Sequence, residues 1–321
     1  MPSIDVAPGL DVIAGYALRT TPTQTGASEW FHSFYLERAL PSLTVRTGPA
    51  EAKVAVEAVY STSEGALAGV AGDSLLLRVR EARIGYRPTS WLGFDLGVVP
   101  TFVIPTFDSL GLRALGPVFV EEAGFAAPAD LGLTAKVSFP KGYGFAALGA
   151  FNGEGYTNRE LNRGKNIEVA ALFHPAPGGA LAPLSVFGAY VSGSSGTGLS
   201  RADRATGALL WQGDRLRGGV TFTYALGVRD EGAREAYVVD VQVRGEPVPR
   251  LILAGRAALF DRDVSAAQDL TVSVTGAVGF RISEPLEAFL SFQRAAPESA
   301  VASSSPGSDF WEGRLLARFN F

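Results

Sequence analysis

Polar and apolar residues alternate along most of this chain with a period of two. The clearest example runs from residue 270 to residue 281. Its apolar positions are Leu270, Val272, Val274, Val278 and Phe280, and the residues between them are polar or small. Such alternation predicts a β-strand that has one apolar and one polar face.

Sixteen segments follow this pattern, and their boundaries are defined only to within several residues. The predicted strands cover residues 9–20, 30–47, 52–62, 74–87, 91–101, 129–139, 143–152, 166–174, 184–193, 206–212, 215–227, 235–245, 250–261, 269–282, 285–297 and 308–321. Segment 206–212 has the weakest pattern, so fourteen or eighteen strands would also be compatible with the sequence.

The alternation is interrupted inside segment 74–87. Arg78 and Arg80 differ in parity from Glu81 and Arg83, so they cannot all lie on one face of a regular strand. A β-bulge near Arg80 would shift the parity by one residue. The sequence therefore predicts a bulge there that places the three arginines on the same side.

The connections between the predicted strands alternate in length. Short turns fall at 48–50, 87–89, 140–142, 213–214, 245–247 and 283–285, with a longer exception at 175–183, whereas 102–128, 153–165 and 194–205 are long. Alternating short turns and long loops are typical of transmembrane β-barrels, whose short turns are periplasmic. An even strand number then places both termini in the periplasm.

Composition supports an all-β chain. The 38 glycines and 19 prolines disfavour helix interiors. The stretch from Val169 to Ser200 lacks charged residues, but prolines interrupt it, so no segment is predicted to span a membrane as a helix. A membrane protein of this kind must be a closed barrel, here one domain over residues 1–321. Residues 1–6 do not resemble a signal peptide, so an exported protein would already have lost its own.

The end of the chain carries the most specific local signal. Trp311, Leu315, Phe319 and Phe321 lie on one face of the last predicted strand. This pattern resembles the C-terminal strand of bacterial outer-membrane proteins, in which a terminal phenylalanine is read by the assembly machinery. The resemblance implies a Gram-negative outer membrane, with lipids, lipopolysaccharide and, through Phe321, that machinery as partners. The alternative, a soluble sandwich, would need a second layer to cover each apolar face.

If the apolar face contacts lipid, the polar face lines the lumen. The predicted pore-lining cations are Arg19, Arg46, Lys53, Arg80, Arg83, Lys136, Arg217, Arg244, Arg256, Arg281, Arg314 and Arg318. The whole chain has a formal net charge of −4. A positive inner wall would favour the passage of anions. Alternatively, these arginines pair with neighbouring acids or with turn carbonyls, which leaves the pore without a preference.

The longest connection, residues 102–128, is unusually apolar for a loop. Folded into the barrel, it would narrow the pore and place Asp108, Arg113, Glu121 and Glu122 at a constriction. Packed on the rim or against another subunit, it would leave the lumen open. The sequence is compatible with both arrangements.

Segment 82–175 resembles the phosphate-selective porins O and P. The matching features are the strand end at 82–88, residues 91–100 followed by a long loop, residues 129–132, residues 142–144, the run Asn152-Gly153-Glu154-Gly155-Tyr156 and residues 162–165. The resemblance implies a sixteen-stranded barrel, usually trimeric, that passes anions through a lysine-rich constriction. This chain is shorter than typical members, and its candidate constriction loop lacks a lysine cluster.

Three classes of function are considered for this chain. A diffusion channel for small hydrophilic solutes, with a possible anion preference, is the leading hypothesis. A plugged barrel that serves as a scaffold or partner subunit is the alternative. An enzyme is not predicted, because the only histidines, His32 and His174, lack a convincing catalytic context, and the chain has no cysteine. No cofactor, metal site or nucleic-acid partner is predicted.

Overall fold

The protein forms a closed barrel of sixteen antiparallel β-strands. A computed structural model describes residues 3–22, 28–61, 74–157, 163–228, 231–299, 301 and 308–321. Each barrel strand pairs with its neighbours in the chain, and the first strand pairs with the last. The predicted fold class, an up-and-down barrel, is therefore confirmed, and sixteen is the correct strand number.

The barrel strands match the sixteen predicted segments, including the weak one at 206–212. They are β1 (Ile4–Pro22), β2 (Ser28–Thr47), β3 (Ala50–Ser61), β4 (Ser74–Tyr86), β5 (Leu92–Pro100), β6 (Ala129–Ser138), β7 (Gly144–Phe151), β8 (Asn166–Phe173), β9 (Leu184–Ser192), β12 (Asp203–Gln212), β13 (Leu216–Val228), β14 (Glu231–Gly245), β15 (Leu251–Asp261), β16 (Leu270–Ser283), β17 (Leu286–Pro297) and β18 (Phe310–Asn320). Between β9 and β12, the two-residue strands β10 (Ser194–Ser195) and β11 (Ser200–Arg201) pair with each other.

The terminal phenylalanine takes part in closing the barrel. Strands β1 and β18 pair from Asp11 opposite Asn320 to Thr20 opposite Trp311. Beyond this ladder, the amide of Phe321 donates to the carbonyl of Leu10 at 3.1 Å, and the amide of Leu10 donates back at 3.2 Å. Both described chain ends therefore lie at the rim formed by the short turns, here called the turn rim. The opposite rim, which carries the longer connections, is called the loop rim.

The outer face of the barrel is apolar. Leu290 and Phe292 on β17 are 66% and 52% exposed, and Val274 and Val278 on β16 are exposed beside them. The residues between these positions point into the lumen and include Ser291 on β17 and Thr275 on β16. This arrangement is that of a transmembrane barrel, in which lipid covers the apolar side chains.

Among the described residues, no helix is long and apolar enough to cross a membrane.

The predicted bulge near Arg80 is confirmed. Ala55 of β3 pairs with Glu81 of β4, whereas the next residue, Val56, pairs with Val79, so Arg80 is skipped in the ladder. The extra residue lets the side chains on both sides of it point inward. Arg78 and Arg80 both form ion pairs with Glu57 in the lumen.

A charge placed on the outer face of β17 should destabilise the barrel. We expect Leu290→Arg to lower the free energy of unfolding by about 2–4 kcal/mol, because a guanidinium near the middle of the bilayer loses its hydration. The matched control is Gln293→Arg, which adds the same charge to the inner face of the same strand. Urea unfolding of the protein in lipid vesicles measures both variants, and equal stability would contradict the assignment of faces.

Candidate functional site

The connection between β5 and β6 enters the barrel, and residues 101–128 are here called the inner loop. It contains the short helices α1 (Val103–Asp108) and α2 (Phe119–Glu122), with a 3-10 turn at Arg113–Leu115 between them. Its apolar residues, including Ile104, Phe107 and Leu110, are almost completely buried. Of the two arrangements that the sequence allowed, the structure has the one inside the lumen.

Apolar side chains of the barrel wall cover the inner loop. The same cluster contains Phe187, Leu210, Ile252, Phe289 and Leu316, which point inward from five different strands. This part of the inner wall is therefore apolar, and the loop rather than water covers it. Burial of side chains of this size stabilises by about 1.5–3 kcal/mol each, so the loop is held firmly against the wall.

Polar groups of the same wall hold the inner loop at its start and in its middle part. A carboxylate oxygen of Glu168 on β8 accepts a hydrogen bond from the amide of Phe102 at 3.2 Å, directly before α1. Arg244 on β14 donates to the carbonyl of Gly111 at 3.1 Å, and Arg256 on β15 donates to the carbonyl of Pro117. These bonds involve charged groups and shielded partners, so each is stronger than an ordinary surface hydrogen bond.

The wall formed by β2, β3 and β4 carries a cluster of charged side chains. Glu57 forms ion pairs with Arg80 at 3.1 Å and with Arg78 at 3.2 Å, and it accepts a hydrogen bond from the hydroxyl of Tyr156 at 2.6 Å. Arg38 on β2 pairs with Asp11 at 3.6 Å. This cluster is called the arginine face below.

The inner loop presents its own charged groups to the arginine face. Arg113 pairs with Glu121 through a nitrogen–oxygen contact of 3.1 Å and with Asp108 at 3.4 Å. Burial alone would lower the pKa of Arg113, but these two carboxylates outweigh burial and raise the pKa above its ordinary value. Arg38 on the wall lies within electrostatic range of Arg113 and Asp108 on the loop, and Arg113 lies within range of Glu57 on the wall, so the two sets of charges face each other. We call the place where they meet the eyelet.

The other predicted pore-lining residues are distributed over the inner wall away from the eyelet. Most pair with acids: Arg19 and Arg314 with Glu312, Arg46 with Asp5 and Glu51, Lys53 with Glu81, Arg83 with Glu51, Glu81 and Asp95, Arg244 and Arg281 with Glu287, Arg256 with Asp240, and Arg318 with Asp11. Lys136 lies 3.9 Å from the centre of the Phe145 ring. Arg217 lies close to Gly111 of the inner loop. Extensive pairing leaves these arginines with little excess positive charge.

The four predicted constriction residues separate into two groups. Asp108, Arg113 and Glu121 lie together on the side of the loop that faces the arginine face. Glu122 belongs to the other side, where its carboxylate lies 3.8 Å from Arg256. Arg38 on the wall lies within electrostatic range of both Arg80 and Arg113, although the sequence places the three arginines in different elements.

Two residues of the eyelet were missed by sequence reasoning. Arg38 has the same parity as Arg46 on the same strand, so the alternation could have identified it. Tyr156 lies in the run of residues 152–156, but nothing in that run indicates that it reaches Glu57, which lies 99 positions earlier in the chain.

Neither histidine lies in the eyelet. His32 is exposed on β2, with its ring 6.0 Å from that of Tyr16. His174 follows β8, and its amide donates to the carbonyl of Tyr143 at 3.0 Å. Among the described residues, no group of three or more acidic, histidine or cysteine side chains could hold a metal ion.

Comparison with known proteins gives matches at the level of structure only. No protein-family model matches the sequence, and no curated protein matches it. Among the solved structures that are similar over almost the full length of both chains are three outer-membrane proteins. An anion-selective porin from Comamonas acidovorans is 14% identical, with a TM-score of 0.66 and coverage of 99% of this chain and 100% of the other. OmpF of Salmonella typhi, solved with daunomycin, is 14% identical, with a TM-score of 0.69 and coverage of 100% and 98%. OmpT of Vibrio cholerae in its trimer form is 11% identical, with a TM-score of 0.61 and coverage of 99% and 100%. This chain has the fold of these outer-membrane proteins.

Removal of the Glu168 carboxylate should loosen the start of the inner loop. We expect Glu168→Ala to cost about 1–3 kcal/mol locally, because the amide of Phe102 would be left without its acceptor. Hydrogen exchange of residues 103–110 should then become faster. The control is Asp5→Ala, which removes an acid that pairs with Arg46 at the turn rim. Unchanged exchange in the Glu168 variant would show that the bond does not anchor the loop.

Proposed function

We propose that the protein is an outer-membrane channel for small hydrophilic solutes, with a weak preference for anions. The observation that carries the proposal is the eyelet, where Arg38 and Arg80 of the wall meet Arg113 of the inner loop. Sixteen-stranded barrels of this fold are wide enough to contain an aqueous channel. A loop that narrows such a barrel restricts passage to small solutes.

A membrane location follows from the two faces of the wall. The strands satisfy each other's backbone hydrogen bonds around the closed barrel, so no strand edge is left for lipid to cover. The outer face exposes large apolar side chains to the surroundings. We place the protein in the outer membrane of a Gram-negative bacterium, where Phe321 serves as the signal for the assembly machinery.

The preference for anions is expected to be weak because acids accompany the arginines. Arg38, Arg78, Arg80 and Arg113 are opposed by Asp11, Glu57, Asp108 and Glu121. Glu57, however, accepts bonds from three donors and is only 3% exposed, which reduces its contact with a passing ion. Guanidinium groups retain further N–H donors when one is engaged, so they can still contact an anion.

A plugged barrel that acts as a scaffold or partner subunit is the second candidate. The observation in its favour is the low exposure of the eyelet arginines, which is 7% for Arg38, 8% for Arg80 and 9% for Arg113. Side chains this well covered leave little room between the loop and the wall. Single-channel recording separates the two candidates, because only the channel conducts without a partner.

We also propose that the chain assembles as a homotrimer. The similar OmpT of Vibrio cholerae is described in a trimer form, and the apolar outer wall provides a surface on which copies could pack within the membrane. Mass determination of the protein in detergent tests this assembly, and a monomer at all protein concentrations would contradict it.

Neutralisation of the arginine face should change ion selectivity. In planar bilayers under a gradient of potassium chloride, the wild-type reversal potential should indicate that chloride is more permeant than potassium. The double variant Arg38→Gln/Arg80→Gln should lose or reverse this preference, because it removes two positive charges from the wall while the carboxylates of Asp11 and Glu57 remain.

The control for this measurement is Lys141→Gln, which removes one positive charge from an exposed position at the turn rim. It should leave the reversal potential close to the wild-type value. The same selectivity in the double variant and the wild type would contradict the role of the eyelet. Folded wild-type barrels that remain electrically silent would instead favour the plugged barrel.

A further inference from the structure

The run Asn152-Gly153-Glu154-Gly155-Tyr156 follows β7 and lies across the loop-side end of β6. The amide of Asn152 donates to the carbonyl of Leu131 at 2.9 Å, and the amide of Tyr156 donates to the carbonyl of Ala129 at 3.0 Å. Residues 152–156 are here called the strap. Its main chain is bonded to β6 at both of its ends, so the position of Tyr156 is well defined.

The two glycines of the strap have main-chain conformations that other residues rarely adopt. The φ angle is +107° at Gly153 and +73° at Gly155. A methyl group added to Gly155 would also lie only 2.9 Å from that of Ala127 in the inner loop. Glycine tolerates a positive φ without steric cost. The two glycines therefore allow the strap to turn sharply, next to the end of the inner loop, and to direct Tyr156 towards the arginine face.

Tyr156 contacts the arginine face through both its hydroxyl and its ring. The hydroxyl donates to a carboxylate oxygen of Glu57 at 2.6 Å and accepts from a guanidinium nitrogen of Arg80 at 3.2 Å. The centre of the ring lies 4.9 Å from the guanidinium carbon of Arg78 and 5.5 Å from that of Arg80. One tyrosine therefore contacts two guanidinium groups and the carboxylate with which both of them pair.

The strap reaches β4 from the side on which the neighbouring strand has ended. The ladder between β4 and β5 ends at Ala82 opposite Val98. Arg78 and Arg80 lie beyond this point, where β4 continues its pairing with β3. Cross-strand neighbours hold the side chains of a strand in place. Tyr156 takes over this role for the two arginines on the side that β5 no longer covers.

We propose that Tyr156 is the positioning residue of the arginine face and that it strengthens the anion preference of the eyelet. Its hydroxyl occupies a lone pair of the Glu57 carboxylate that a passing cation could otherwise contact. Its ring holds the two guanidinium groups without neutralising their charge. The effect on selectivity rests on the proposed channel, whereas the positioning itself concerns only the folded barrel.

Reversal potentials in planar bilayers under a gradient of potassium chloride test the effect on selectivity. Tyr156→Phe keeps the ring and nearly the whole volume of the side chain but removes the hydroxyl. We expect this variant to keep the wild-type conductance while its reversal potential shifts towards greater potassium permeability. A side chain that only fills space would leave both quantities unchanged. The control is Tyr143→Phe, which removes a hydroxyl from a ring that stacks on Phe173 at the turn rim and should keep the wild-type reversal potential.

The positioning is also measurable without any conductance. Phenylglyoxal modifies accessible arginine side chains, and mass spectrometry gives its rate of reaction with Arg80 in the folded, full-length barrel. We expect Tyr156→Phe to raise this rate by about threefold or more, because Arg80 loses its hydrogen bond to the hydroxyl. Tyr143→Phe should react at the wild-type rate.

The two measurements separate failure of this inference from failure of the channel. In a barrel that conducts, equal reversal potentials for the wild type and Tyr156→Phe would overturn the proposal and leave the channel intact. A wild-type barrel that stays silent would contradict the channel, and the reaction of Arg80 then decides on the positioning. Faster modification in Tyr156→Phe would support it, and an unchanged rate would overturn it.

Discussion

Closure of the β-ladder is the constraint on which the rest of this structure depends. A bilayer offers no water to exposed backbone groups, so every strand edge must be paired. Here β1 pairs with β18, and the main chain of Phe321 extends that pairing to Leu10. In a closed barrel, successive side chains of each strand face the lipid and the lumen in alternation. The period of two in the sequence is the direct consequence.

The inner loop occupies part of the lumen of this barrel. Its apolar residues pack on one side of the wall, where Phe187, Leu210 and Ile252 replace the polar residues expected of a lumen. This packing holds the loop against β8 to β15. On its other side, the loop presents Arg113 and Asp108 to the opposite wall. Hydrophobic packing of the inner loop therefore determines where its charged side chains lie, and with them the position of the eyelet. The same packing places the ring of Phe125 5.3 Å from the guanidinium of Arg204.

The strands were predictable from sequence because each one carries its own repeated pattern. The bulge at Arg80 was predictable for the same reason, since a change of parity is visible within a single segment. Contacts between residues that are far apart in the chain produce no such pattern in the sequence. Tyr156 and Glu57 meet across 99 residues. Apolar residues on the inner face, such as Leu210, could be explained only after the loop was seen to cover them.

The central claim is that solutes pass between the inner loop and the arginine face. The chain contains no cysteine, so a single cysteine introduced by Asp108→Cys would be the only thiol present. The most direct test is to record a single channel of this variant while a bulky, charged reagent that forms a mixed disulfide with the thiol is added. If the eyelet lines the path, the reagent should reduce the conductance in a discrete step, and a reducing agent should restore it. Complete modification of the thiol without any change in conductance would contradict the account.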